Sequence, residues 1–110
     1  VPKASPRAIF SARIKQARDL RGIRSQRALG ALMGLTKERG SSRINRYETQ
    51  ASGVDLDGLA QLAETLRVPM AFLVAEDEPT ADIVLALSQL SPKERKELAS
   101  RLKEQLATKK

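Results

Sequence analysis

Between Ser25 and Glu48 the chain concentrates side chains that can bond to a nucleic acid. They are Gln26, Arg27, Lys37, Arg39, Ser41, Ser42, Arg43, Asn45 and Arg46. Arginine can reach two acceptors of guanine at once, asparagine can pair with adenine, and serine suits either a base or a phosphate. The charge distribution points the same way. The net charge is +7, but residues 1–50 hold twelve Lys or Arg against only Asp19, Glu38 and Glu48, a balance of +9. Residues 51–110 hold eight cations against ten acids, a balance of −2. A polyanion would therefore dock on the first half. Charge alone fits a solvated surface equally well, so the spacing of the polar residues has to decide.

The chemistry left out is also informative. Cysteine and histidine are both absent. That removes disulfides, thiolate zinc sites and the commonest general base. Asp55 and Asp57 could be imagined as a catalytic or metal pair, but helix capping explains Asp55 and nothing nearby supplies a third ligand. Neither an enzyme nor a metal or other cofactor is expected. No run approaches the ~18 to 20 apolar residues of a membrane span. Val1 to Phe10 lacks the apolar centre of a signal peptide, so a cytoplasmic protein is expected.

Aromatics are limited to Phe10, Tyr47 and Phe72. The abundant residues are good helix formers, so the expected class is all-α. Ser5-Pro6 should start a first helix reaching about Arg21, with Phe10, Ile14, Ala17 and Leu20 or Arg21 on its apolar face. On it Arg7, Arg13 and Lys15 are candidates for phosphate contact, whereas Arg18, Arg21 and Arg24 read as ordinary surface. Gly22 should end it. Ser25 should cap a second helix, about Gln26 to Met33, with Leu29 and Leu32 in the core and Gly34 at its end. Leu35 should point inward. The polar stretch Thr36 to Gly40 follows. A third helix should begin near Ser41 or Ser42, or earlier at Lys37, with Ile44 and Tyr47 on its inner face. If Thr36 to Gly40 is a loop, Lys37 and Arg39 could contact phosphate or the groove edge.

Gln50 to Gly53 reads as a loop. Asp55 should cap a fourth helix with the stripe Leu56, Leu59, Leu62, Ala63 and Leu66. Val68-Pro69 opens a short fifth helix carrying Met70, Phe72 and Leu73. Glu76 to Pro79 reads as a linker. Thr80 should cap a sixth helix, and Ser91-Pro92-Lys93-Glu94 forms a capping box for a seventh. The tail Thr108 to Lys110 should fray.

Two helices that cross closely need a small residue where their backbones meet, and Gly30 supplies one. A sharp turn needs a glycine, and Gly34 supplies it. These residues carry a resemblance. Gln26-x-x-Leu29-Gly30-x-x-x-Gly34-Leu35, followed by Ile44-Asn45-Arg46-Tyr47-Glu48, resembles the helix-turn-helix family of phage lambda repressor and Cro, the XRE-type regulators. Leu59 to Leu73 is similar to the fourth and fifth helices of that domain. The resemblance covers roughly residues 9–75. It implies a five-helix lambda-repressor-like DNA-binding domain whose third helix enters the major groove, followed here by two C-terminal helices. It places Gln26 where a residue contacts phosphate or orients a recognition side chain. Ser41, Ser42 and Arg43 fall at the exposed start of the recognition helix, with Asn45 and Arg46 continuing that face. Glu48 matches a structural acid. The sequence departs from the family pattern in having Gly30 in place of alanine and a turn about four residues longer.

Residues 1–75 are thus expected to bind double-stranded DNA and residues 76–110 to self-associate. The self-association residues would be Ile83, Val84, Leu87, Leu90, Leu98 and Leu102, the last two part of a narrow seam with Leu106. The favoured reading is a repressor acting as a homodimer on a palindromic operator. The alternatives are an antitoxin whose C-terminal helices grip a toxin partner, and a general DNA binder without sequence preference.

Overall fold

Six side chains turn extended backbone into helix. Ser5, Ser25, Thr36, Asp55, Asp77 and Ser91 each accept a hydrogen bond from the backbone N–H three residues on, which satisfies one of the donors left free at a helix start. In the computed structural model, which describes residues 4–109, these caps open α1 (Pro6–Leu20), α2 (Gln26–Leu32), α3 (Lys37–Glu48), α4 (Leu56–Leu66), α5 (Glu78–Leu87) and α6 (Pro92–Thr108). A 3-10 turn, Met70–Val74, stands where a fifth helix was expected. The described residues contain no strand, so the fold is all-α. Lys110 of the tail and the first three residues of the Val1–Phe10 segment lie outside the described part.

Two helices start earlier than their apolar patterns suggest. Thr36 accepts from Arg39 N, so α3 begins at Lys37 and the supposed long turn is its first helical turn. Asp77, not Thr80, caps α5; its carboxylate accepts from the Thr80 N–H. The supposed linker residues Glu78 and Pro79 therefore form the first turn of α5. Both stretches carry charged residues where periodicity looks for apolar ones. Glu38 and Glu78 are nevertheless well placed, because a helix N-terminus favours negative charge.

One core joins these elements. It contains Phe10, Ile14 and Ala17 of α1, Leu29 of α2, Ile44 of α3, and Leu59, Leu62, Ala63 and Leu66 of α4. Val68, Phe72, Leu73 and Ala75 continue it, and Ala81 extends it into α5. Leu35 is only half-buried. Leu32 and Leu56, expected inside, are 63% and 76% exposed. Each occupies a helix end: Leu32 is the last residue of the seven-residue α2, and Leu56 the first of α4. Leu20 is likewise exposed at the end of α1.

The tightest point is the crossing of α2 and α3. A methyl group on Gly30 would lie 2.4 Å from Gly40 Cα, and one on Gly40 would lie 2.8 Å from Gly30 Cα. Backbone meets backbone there, so no side chain could rotate aside. Gly34 takes φ +79° in the turn between the helices, a conformation that disfavours side chains.

Two arginines, one on α1 and one just past its end, tie distant segments together. Arg13, a candidate for phosphate contact, is instead buried. Its Nε donates to Ala75 O at 2.9 Å, and one terminal nitrogen donates to Gln16 Oε1 at 2.9 Å and to Glu78 Oε1 at 2.7 Å. Burial under α5 removes it from any DNA surface. Arg21, read as ordinary surface, donates to the carbonyls of Leu66 and Arg67 at 2.8 and 2.6 Å. It thereby satisfies the free carbonyls at the end of α4, where a cation is favoured.

Gly30→Ala should cost about 3 kcal/mol by overpacking and lower the melting temperature by roughly 10 °C, as read by thermal unfolding. The Arg13 guanidinium, then Gln16, hold the Glu78 carboxyl below the usual carboxylate range. Because the folded state lowers this pKa, its stabilisation is present above the unfolded value of ~4.3 and is lost as pH falls through the lower folded value. Glu78→Gln should lose this part of the acid dependence in an unfolding series taken down in pH. An unchanged acid profile would exclude a stabilising Arg13–Glu78 pair.

Candidate nucleic-acid interface

The position of α3 is set from behind by one buried carboxylate. Glu48, 4% exposed, accepts two hydrogen bonds from Arg18 of α1, from Nε at 2.7 Å and from a terminal nitrogen at 2.8 Å. Gln26 at the start of α2 donates to the same carboxylate at 3.1 Å. The backbone carbonyl of Glu48 accepts from Ser11 Oγ at 2.6 Å. Arg18 also donates to Ile23 O. Its pKa is raised, chiefly by the hydrogen bonding to Glu48, so it stays charged. Three helices therefore meet at one ion pair, and the planar guanidinium fixes their relative orientation. Phe10 and Tyr47 add an edge-to-face ring contact, centroids 5.5 Å apart, between α1 and α3. No buried side-chain polar atom among the described residues lacks a partner.

With Gly40, Ile44 and Glu48 turned inward, the opposite face of α3 is left to solvent. Lys37, Arg39, Ser42, Asn45 and Arg46 are exposed; Ser41 and Arg43 are half-buried. The early start of α3 moves Ser41 to Arg43 from the helix tip into its second turn, so Lys37 and Arg39 occupy the first. All seven expected residues of this stretch thus lie on one rigid helix, and none lies on a loop.

The structure gathers the candidates on two sides of α3. Gln26, Arg27, Lys37, Ser41, Ser42 and Asn45 line a shallow concavity between α2 and α3, together with the acidic Glu38. Arg43 and Arg46 line another, which Asp55, Asp57 and Gln61 share from α4 and its cap. Gln26 points its amide nitrogen at Glu48, so it braces the helices. Arg24, read from sequence as ordinary surface, borders Gln26 and Arg27 in an adjoining concavity. Its signal in the sequence was its place just before the Ser25 cap. Arg18 was also read as surface, and its burial against Glu48 corrects that reading. Thirty residues separate the two, so spacing along one helix could not reveal the pair.

Arg24, Arg27, Lys37, Arg39, Arg43 and Arg46 form no ion pair among the described residues. Six cations outside any ion pair, around one exposed helix with Asn45 and two serines between them, can bind phosphates and read base edges. No described helix is long and apolar enough to cross a membrane.

No family model matches the sequence, and no curated protein matches it. A solved structure does. At 35% sequence identity, with a TM-score of 0.78 and 91% of this chain aligned to 98% of the other, the chain belongs to a family of transcriptional regulators. The member it matches is the transcriptional regulator BswR.

Glu48→Ala would strand Arg18 as an unpaired, mostly buried charge. The expected loss is about 3 to 5 kcal/mol of stability, measurable by urea unfolding. A loss below about 1 kcal/mol would mean that the pair behaves as a surface salt bridge.

Proposed function

We propose that the chain is a sequence-specific DNA-binding transcriptional regulator that inserts α3 into the major groove. The observation that carries this reading is the exposed face of α3, held rigid from behind by Glu48 and by the Gly30–Gly40 contact, in a chain related to a transcriptional regulator. Arg43, Asn45 and Arg46 would read base edges. Arg24, Arg27, Lys37 and Arg39 would grip phosphates, and Ser41 and Ser42 would serve either role. Rigidity matters because base readout depends on hydrogen bonds of narrow geometry.

One module of this size covers a limited stretch of DNA, and two double the base contacts. We therefore propose a homodimer on a palindromic operator. Residues 1–75 would form the DNA-binding part and residues 76–110 the self-associating part, with repression following from occlusion of the promoter. The two copies of α3 should lie about one DNA turn apart, ~34 Å.

Selection from a random duplex library with the purified chain should enrich a palindrome. On the enriched duplex, Arg43→Ala should cost ~1 to 3 kcal/mol and relax preference at one position of each half-site. Arg27→Ala should weaken all duplexes alike and reduce the salt dependence of binding. Failure to enrich any sequence, with equal binding to all duplexes, would replace this reading by that of a general DNA binder.

A further inference from the structure

The largest uncovered feature of the molecule is α6. None of its seventeen residues is buried. Its Leu102 and Leu106 are 48% and 61% exposed, in line with the half-buried Leu98. The chain has a radius of gyration of 16.1 Å, against about 13 Å for a compact domain of this length. An apolar seam on a projecting helix calls for a partner surface.

A surface of matching chemistry lies on the same molecule. Ile9 of α1, Ala71 and Val74 of the 3-10 turn, and Val84 of α5 line a groove, with Glu76 and Asp77 at its edge. Val74 is 50% exposed, and Ile83, on the adjoining row of α5, is 61% exposed. From Ala75 to Leu90 there are four acids and no Lys or Arg; Glu78 is paired with Arg13, which leaves Glu76, Asp77 and Asp82 outside any ion pair. α6 has the opposite balance, five cations against three acids, and Arg101 and Lys103 flank Leu102. Its length, about 25 Å, spans both α5 and the groove. Within one chain, Arg95 donates to the carbonyls of Leu87 and Leu90 at the end of α5, and α6 leaves the groove uncovered.

We propose that α6 of one copy docks into the Ile9–Val74–Val84 groove of a second copy, and that the exchange is reciprocal. This deepens the homodimer reading by naming its surfaces. Charge favours this exchange over pairing α6 with α6, which would bring two basic helices together, whereas docking on α5 sets basic against acidic. A reciprocal exchange also closes with two-fold symmetry, as a dimer requires.

The natural absence of cysteine makes the test direct. Val74→Cys and Leu102→Cys are prepared separately, mixed, allowed to exchange subunits and oxidised. The mixture should form disulfide-linked dimers at least ten-fold faster than either variant alone. Both positions are exposed, so both variants should fold, as checked by circular dichroism. In a second measurement, E76K/D82K should weaken self-association ten-fold or more in sedimentation, and adding R101E/K103E to the same chain should restore it. Rapid linkage of Leu102→Cys alone, with no mixed product between the two variants in the mixture, would overturn the exchange and leave the homodimer standing. A wild-type chain that stays monomeric at all concentrations would overturn both.

Discussion

The exposed face of α3 depends on the contact between Gly30 and Gly40. Two helix backbones come so close there that a methyl group on either residue would overlap the other chain segment. This closeness lets the seven-residue α2 lock onto α3 although α2 buries only Leu29 and Gly30. A helix that short is not stable by itself. It persists because α3 and the core hold it. In return, α2 fixes the axis of α3 and presents Arg27 beside Ser41 and Ser42. The turn at Gly34 makes that approach possible, since a left-handed residue reverses the chain within a few positions.

The arginines divide by what they touch. Arg13, Arg18 and Arg21 all leave α1 or its end and reach backward, to Ala75 and Glu78, to Glu48, and to the carbonyls closing α4. They are bolts between elements, and the planar guanidinium suits them to it, because one group satisfies two or three acceptors in fixed directions. The cations around α2 and α3 have no such partners. The +9 balance of the first half therefore overstates the charge offered to a ligand, since it already nets Arg18 against Glu48 but still counts Arg13, which is paired with Glu78 of the second half. Six of the remaining cations, Arg24, Arg27, Lys37, Arg39, Arg43 and Arg46, lie on or beside α2 and α3.

The second half follows different physics. Arg13 ties α5 to α1, and Ala81 enters the core, so the first turns of α5 are part of the body of the domain. Beyond the short link to Ser91, α6 is stabilised locally. Its capping box, in which Ser91 and Glu94 each accept from the other's backbone N–H, gives it a defined start without tertiary support. The chain thus has a rigid head and an independently started helix.

Much of this was legible from residue types. Ser5, Ser25, Asp55 and Ser91 announced their helices because capping is a local hydrogen bond, and the apolar faces of α1 and α4 followed from periodicity. Gly30 and Gly34 were recognisable as sites of close approach and of turning. The class of fold, the polar content of residues 36–46 and the concentration of charge in residues 1–50 needed nothing beyond the sequence. Only the tertiary structure showed that Gly40 is the partner of Gly30, that α3 starts at Lys37, and that Arg13, Arg18 and Arg21 face inward while Leu32 and Leu56 face out. The reason is the same in each case. A cap or a stripe is decided within a few residues, whereas the choice between bolt and free cation depends on an acceptor tens of residues away, brought near only when the core closes.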